Sequence, residues 1–275
     1  MNALHRKSCL VLATLAVATP LLFAGDTGQK YTFEQMEHFL QTAKIVKIKE
    51  LSVGVTNSRR ATLDDGTMQH DAHVQSIDEA KAKFEGDRGT EMNFVDSWRY
   101  NVAAHRLGRL LEIGDMIPVS VERKVNGQSC AVTWWIDDTM MEIDRKKKNL
   151  ESPDKDAWNR EMYVVRVFDQ LIFNTDRNLQ NLLIDKQWHI WMIDHTRAFR
   201  LHTTLQEKKN LVMCDRHLLA MLRTLDLAKL NTIKPYLTGP EIKGVLARRD
   251  KIVEFFDEQV KAKGEGAVLY DRPSR

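Results

Sequence analysis

The sequence has few of the residue patterns that identify common classes of protein. Three cysteines in 275 residues are too few for a disulfide scaffold or a cysteine-rich zinc site. The sequence also lacks a Gly-x-Ser-x-Gly elbow, a His-Glu-x-x-His zinc motif, a dinucleotide-binding Gly-x-Gly-x-x-Gly and a P-loop. These absences argue against several large groups of hydrolases, peptidases, dehydrogenases and nucleotidases.

The chain also lacks a strong excess of charge of either sign. It has 41 Lys and Arg against 38 Asp and Glu, which gives a formal net charge of +3. Nucleic-acid-binding domains are usually far more basic, so we expect no nucleic-acid partner. The apolar fraction of 43% and the charged fraction of 29% are ordinary for a globular protein.

The longest apolar run lies at the N-terminus. Residues 5–7 are basic, and residues 9–24 are almost wholly apolar. This pattern is typical of a secretory signal peptide, and the run is too short for a comfortable membrane span. We therefore expect residues 1–24 to be a signal peptide and the protein to be exported to the periplasm or secreted. No stable membrane span is then expected after cleavage, and an uncleaved N-terminal anchor is the alternative.

Two cysteines remain after this leader. An exported protein can oxidise Cys130 and Cys214 to a disulfide. Their separation in sequence says nothing about their distance in space, so the state of the pair stays open.

The first half of the body is rich in predicted strands. Two turn signals, Asp64-Asp65-Gly66 and Asn126-Gly127, indicate hairpins. Periodicity and turns predict, in order, a helix at 32–42, strands at 45–55, 60–63 and 68–77, a helix at about 96–113, and strands at 117–123 and 130–136.

The second half is mostly helical. It is predicted to contain a charged linker at 137–153, a helix at 154–173, short strands at 182–184 and 188–193, and helices at 215–225 and 241–263. The two halves indicate an α+β protein with two lobes, a β-rich N-lobe at 30–136 and a helical C-lobe at 137–275.

The most informative motif follows the long helix. It reads Asn174-Thr-Asp-Arg-Asn-Leu-Gln-Asn181, and a second carboxylate, Asp194, ends the hydrophobic segment Trp191-Met-Ile-Asp. Kinases use one carboxylate to accept the proton of the attacking hydroxyl. They use an amide oxygen and another carboxylate to hold Mg²⁺ on the nucleotide phosphates, and the Asp–Asn spacing of their catalytic loop matches Asp176 and Asn181.

With these residues the chain resembles the atypical kinase superfamily. That group includes phosphatidylinositol kinases, HipA-type toxin kinases and secreted Golgi casein kinases. The resemblance implies a bilobal protein-kinase-like fold, with Asp176 as the catalytic base. It also implies that Asn181 and Asp194 hold Mg²⁺ or Mn²⁺ with ATP.

The N-terminal half departs from the kinase pattern. The resemblance places Gly54 in the loop that covers the phosphates, and it places Gln75 where kinases have a phosphate-binding Lys. The partner Glu of that Lys is replaced by Asn101. Two amides can hydrogen-bond to each other but cannot neutralise phosphate, and Arg59 or Arg60 is expected to supply that charge. The alternative is that this alignment is shifted by a few residues.

The sequence therefore leads to three hypotheses. The first is an exported kinase-like protein that binds a nucleotide and transfers its γ-phosphoryl group, or another part of it, to a hydroxyl of a protein or small molecule. The second is a pseudokinase that acts as a binding or regulatory module in the periplasm. The third, a purely structural envelope protein, leaves Asp176, Asn181 and Asp194 unexplained.

Overall fold

The computed structural model describes residues 31–51, 58–86 and 89–273. The predicted signal peptide and Gly54 lie outside these ranges. In chain order the described strands are β1 (Lys44–Glu50), β2 (Arg59–Asp64), β3 (Gln69–Gln75), β4 (Asp78–Gly86), β5 (Gly89–Ser97), β6 (Ser120–Val125), β7 (Gln128–Trp134), β8 (Met140–Met141), β9 (Leu182–Ile184), β10 (Ile190–Met192), β11 (Cys214–Asp215) and β12 (Leu269–Tyr270).

The helices are concentrated after β8. They are α1 (Phe33–Thr42), α2 (Arg99–Leu110), α3 (Glu142–Lys147), α4 (Lys155–Ile172), α5 (Arg216–Thr224), α6 (Leu227–Asn231) and α7 (Gly239–Lys263), with short 3₁₀ turns at Gly114–Met116, Lys208–Asn210 and Glu265–Ala267.

A five-stranded antiparallel sheet forms the N-terminal part, in the order β1-β2-β3-β7-β6. The turn between β6 and β7 has positive φ at both Asn126 (52°) and Gly127 (82°), as a two-residue hairpin turn requires. One face of the sheet carries alternating apolar residues such as Leu63 and Val74. Helix α1 covers this face and is fixed at its start by a capping box between Thr32 and Gln35.

A second hairpin, β4–β5, lies between β3 and α2 and was not predicted. The strand β4 alternates Ala80, Ala82 and Phe84 with charged residues, but nearly all of its residues are exposed, so this short period does not mark a core face. Backbone pairing and the stacked rings of Phe84 and Phe94, 4.1 Å apart, support the hairpin instead. Because β5 extends to Ser97, the following helix begins at Arg99 rather than at the predicted Asp96.

The C-terminal part is built on the long helices α4 and α7. Asp154 caps the start of α4, and Thr238 and Glu241 form a capping box at the start of α7. Their apolar faces, with those of α2 and α5, enclose the larger hydrophobic cluster. Residues 32–275 form a single compact unit.

The segment 137–153, predicted as an irregular linker, contains β8 and α3. Arg145 explains the order of α3, since it pairs with Glu142 at 2.5 Å and lies 4.9 Å from the ring of Trp158. Strand β8 joins β9 and β10 in a small antiparallel sheet. The predicted boundary between the two lobes within this segment stays a prediction.

Both body cysteines are free and buried, in different hydrophobic clusters. Among the described residues, no helix is both long and apolar enough to cross a membrane. The predicted α+β class, with a β-rich N-terminal part and a helical C-terminal part, is confirmed.

Candidate functional site

The end of α4 presents the polar loop 174–181, which we call the catalytic-type loop. Helix α4 stops at Phe173, whose φ of 48° is left-handed. The side-chain oxygen of Asn174 then accepts the Asp176 amide at 3.0 Å, and Thr175 donates from its hydroxyl to the Arg197 carbonyl at 2.9 Å. The loop is thereby attached to the segment that follows Asp194.

Arg177 braces this loop from within. Its guanidinium pairs with Asp169 of α4 at 2.9 Å, and both side chains are only 13% exposed. It also donates to the backbone carbonyls of Asn181 at 2.6 Å and Ile193 at 2.7 Å. Because every donor is directed into the protein, Arg177 positions the loop and the residue before Asp194.

Asp176 and Asn181 lie side by side in the loop. The amide nitrogen of Asn181 donates to the Asp176 carbonyl at 2.8 Å. That bond leaves the amide oxygen of Asn181, the atom that a hard cation requires, for a ligand. The Asp176 carboxylate is partly exposed, as a group that meets an acceptor hydroxyl has to be.

Asp194 follows β10 with a φ of 52°, in the left-handed region. This conformation is uncommon for a residue other than glycine and is often found at functional sites. One carboxylate oxygen accepts the Thr196 hydroxyl at 2.9 Å. Burial, helped by the negative charges of Asp96 and Asp176, raises the pKa of the Asp194 carboxyl. A bound cation would relieve this crowding of negative charge.

Asp96 is a site residue that the sequence analysis missed. It lies near the end of β5, is 2% exposed, and pairs with Arg197 at 2.7 Å. Arg197 in turn approaches Asp176, with 3.8 Å between the nearest nitrogen and oxygen. We call Asp96, Asp176 and Asp194 the acidic cluster. Asp96 lies two residues after Phe94 and therefore on the same face of β5, and this two-residue period is the signal that could have identified it.

Gln75 and Asn101 meet across the N-terminal side of the site. The Asn101 amide donates to the Gln75 oxygen at 2.8 Å, and both side chains are buried. The oxygen of Asn101 accepts the backbone N–H of His195 at 2.8 Å. A single side chain therefore joins β3, α2 and the residue after Asp194.

The two arginines of β2 are placed differently. Residues that pair directly across neighbouring strands share a face, so Arg60, opposite His73, lies on the same face as Gln75. It is held by Asp71 at 2.6 Å and stacks 4.1 Å from the Trp135 ring. Arg59 lies on the other face and approaches the Cys130 sulfur at 3.8 Å. The structure therefore does not bring Arg59 together with Gln75.

Arg248 of α7 hydrogen-bonds to the backbone near the end of α4 and to the backbone of the segment after Asp194. It is fully buried and donates to the carbonyls of Leu171 at 2.7 Å and Arg200 at 2.9 Å. Burial lowers the pKa of Arg248 to about 10. The periodicity of α7 predicts an apolar residue at this position, which is the signal that could have identified it.

The donor set fits a metal that is shared with a substrate. In the described part of the chain, no three His, Cys, Asp or Glu side chains are arranged to hold a metal ion alone. Mg²⁺ in nucleotide sites is usually held by one or two protein oxygens and completed by phosphates and water. Asn181 and Asp194 provide two such oxygens.

An antiparallel sheet, interrupted in sequence by a hairpin and a helix and followed by a mainly helical part, is the arrangement of a kinase-like fold. No family model matches the chain, and its sequence matches no curated protein.

Solved structures share this fold at low sequence identity. Hydra Fam20, determined with sugar, is 14% identical with a TM-score of 0.66 over 87% of this chain and 92% of its own. A golgi casein kinase is 13% identical, with a TM-score of 0.62 over 88% of this chain and 80% of its own. The Helicobacter pylori proinflammatory kinase CtkA is 10% identical, with a TM-score of 0.50 over 82% of this chain and 98% of its own. At these identities the similarity shows the fold alone.

Proposed function

We propose that this protein binds ATP with Mg²⁺ or Mn²⁺ and transfers the γ-phosphoryl group to a hydroxyl acceptor. The observation that carries the proposal is the arrangement around Asn181. Its side chain is hydrogen-bonded to the Asp176 carbonyl, and its own backbone carbonyl accepts the amide of Ile193, the residue before the left-handed Asp194. Structural residues at a loop and a strand end would not need three oxygen-bearing side chains grouped in this way.

Each residue has a role that follows from its position. Asp176, which is partly exposed, accepts the proton of the acceptor hydroxyl. Asn181 and Asp194 hold the metal, which would neutralise charge on the β- and γ-phosphates when bound. Arg177 keeps the loop and the Asp194 segment in register.

Gln75 and Asn101 take the place of the usual charged pair. Their hydrogen bond holds α2 against β3, as the Lys–Glu pair of kinases does. Because both groups are neutral, they orient the nucleotide site without neutralising phosphate. On the same face of the sheet, Arg60 is a further candidate for nucleotide contact.

The structural neighbours supply two acceptor classes for testing. Hydra Fam20 is described with a sugar, and the second neighbour is described as a casein kinase. We therefore propose a saccharide hydroxyl or a protein side-chain hydroxyl as the acceptor. From the predicted leader at residues 1–24 we propose that the reaction takes place outside the cytoplasm, and mass spectrometry of the mature N-terminus would test this.

The second candidate function is a pseudokinase that binds a nucleotide or a protein without turnover. The observation that favours it is the buried neutral pair, since Gln75 and Asn101 cannot replace the charge of the kinase Lys.

Titration calorimetry with Mn²⁺-ATP, combined with measurement of ADP release, separates these functions. Wild type is expected to bind, Asp194→Ala is expected to lose binding, and Asp138→Asn, an exposed carboxylate elsewhere, is expected to behave as wild type. Binding with ADP release supports the kinase. Binding without ADP release, with sugar and casein both offered, supports the pseudokinase, and no binding in wild type contradicts nucleotide binding altogether.

A further inference from the structure

Arg197 is a cation held inside the acidic cluster. Its guanidinium pairs with the buried Asp96 at 2.7 Å and lies 3.8 Å from the Asp176 carboxylate. Burial opposes its charge, but Asp96, Asp176 and Asp194 more than offset this and raise the pKa of Arg197. The group is therefore permanently positive beside the candidate base.

The β4–β5 hairpin fixes the position of this guanidinium. The rings of Phe94 and Phe84 lie 5.5 Å and 5.8 Å from it, within the range of a cation–π contact. The base of the hairpin is attached to the same segment, because the Ser97 amide donates to the Thr196 carbonyl at 2.9 Å. With Asp96 holding one edge, the other edge is directed toward Asp176.

Two other arginines near the site are held by partners other than Asp176. Arg177 uses its donors on Asp169 and two backbone carbonyls, and Arg60 is held by Asp71 and Trp135. In the part of the chain that the structure describes, Arg197 is the cation that forms an ion pair with Asp176. Phosphoryl transfer needs positive charge on the oxygens of the transferred group, and Gln75 cannot provide it.

We infer that Arg197 is the catalytic cation that contacts the γ-phosphoryl group, in place of the missing strand lysine; this rests on the proposed function. In the step, the acceptor oxygen bonds to the γ-phosphorus while the bond to the β–γ bridging oxygen breaks. Its electron pair leaves with ADP, and the acceptor proton passes to Asp176. Arg197 donates N–H groups to the transferred oxygens throughout.

The test compares ATP with ADP, because only ATP carries the group that Arg197 would contact. Affinities of Mn²⁺-ATP and Mn²⁺-ADP are measured by calorimetry for wild type, Arg197→Gln and Arg197→Lys. Arg223→Gln, an arginine paired with Asp257 on the surface of α5, is the matched control. Urea unfolding of each variant reports whether it is folded.

Wild type and Arg223→Gln are expected to bind ATP more tightly than ADP. Arg197→Gln is expected to keep its ADP affinity within about 2-fold and to lose about 10-fold to 100-fold of ATP affinity, as loss of a charge-assisted hydrogen bond implies. Arg197→Lys keeps the charge but loses the planar fork, so a several-fold loss confined to ATP is expected. This variant keeps the test decisive if Arg197→Gln does not fold.

Two results overturn the inference while leaving the proposed function intact. One is an unchanged preference for ATP in the Arg197 variants. The other is an equal loss of ATP and ADP affinity, which means that Arg197 only ties the hairpin to the site. If wild type binds neither nucleotide, the proposed function fails and the inference fails with it.

Discussion

The two sides of the site differ in whether charged or neutral side chains form their central contacts. The C-terminal side carries Asp176 and Asp194, and its Arg197 pairs with Asp96 of β5 and approaches Asp176. Arg177 braces the same side through Asp169. The N-terminal side, formed by β3 and α2, meets it with two buried amides, Gln75 and Asn101. Both sides are tightly hydrogen-bonded, but the N-terminal groups that contact the segment after Asp194 are neutral.

The difference shows that the contact between β3 and α2 does not depend on charged side chains. The Gln75–Asn101 bond joins β3 to α2, so two neutral groups are sufficient to hold this strand against this helix. In the proposed reaction, positive charge for phosphate then comes from the C-terminal side, through Arg197. The following predictions test each side in turn.

The largest effect is expected from Arg177→Met on the C-terminal side. The change leaves the buried Asp169 carboxylate without its cation, and it removes donors to the Asn181 and Ile193 carbonyls. Breaking a buried pair of this kind costs about 3–5 kcal/mol of unfolding free energy. Urea denaturation measures it, with Lys186→Ala as the control.

Lys186 pairs with Asp138 at the surface, where both side chains are mostly exposed. Its loss is expected to cost at most about 1 kcal/mol. Equal costs for the two variants would show that Arg177 is not a buried brace.

Asn101→Ala should have the next largest effect, on the N-terminal side. It removes the acceptor of the His195 amide and the donor to Gln75, at a cost of about 2–3 kcal/mol. A double-mutant cycle of Asn101→Ala with Gln75→Ala should give a coupling free energy of at least about 0.5 kcal/mol. Strictly additive unfolding costs would contradict the hydrogen bond between the two amides. Asn159→Ala, exposed on α4, is the control and should change unfolding by less than about 0.5 kcal/mol.

Restoring charge to the N-terminal side should strengthen nucleotide binding. The double variant Gln75→Lys with Asn101→Glu recreates the kinase pair, and it should improve Mn²⁺-ATP affinity about 10-fold, or ~1.4 kcal/mol. Calorimetry measures the change, with Gln75→Leu/Asn101→Leu as a neutral comparison. An unchanged affinity in the charged variant would mean that the missing Lys does not limit binding.

Asp194→Asn should make the nucleotide-free protein more stable, by roughly 0.5–2 kcal/mol at neutral pH. The pKa of Asp194 is raised in the folded state, so its ionised form destabilises the fold at pH values above that pKa. Asn keeps an oxygen for the Thr196 hydroxyl but has no charge. The gain should shrink as pH falls through the raised pKa and vanish below about 3.9, the unfolded value. Denaturation across that pH range measures it, and a gain that grows toward low pH would contradict the account.

The sequence predicted features whose physics is local. The helices α1 and α7, the Asn126-Gly127 turn and the catalytic-type loop follow from residues close together in the chain. The pairing of Gln75 with Asn101 was expected from family resemblance, and the structure places the two side chains in contact.

The missed features depend on contacts distant in sequence. Strand β4 has a short two-residue period at Ala80, Ala82 and Phe84, but it is exposed on both faces and joins neither hydrophobic cluster. Asp96 and Arg197 are about 100 residues apart and meet only because the hairpin folds against the segment after Asp194. Arg59 was expected near the phosphates, but the alternation of β2 turns it to the opposite face from Gln75.

The most direct test of the central claim is the melting temperature of wild type and Asp194→Asn, each with and without Mn²⁺-ATP. A ligand that binds only the folded state stabilises it by about 2.7 kcal/mol at 100 times its dissociation constant. The account predicts that wild type melts several degrees higher with Mn²⁺-ATP, while the variant melts higher without ligand and does not respond to it. A wild type that does not respond, or a variant that responds equally, would contradict the assignment of Asp194 and of the site.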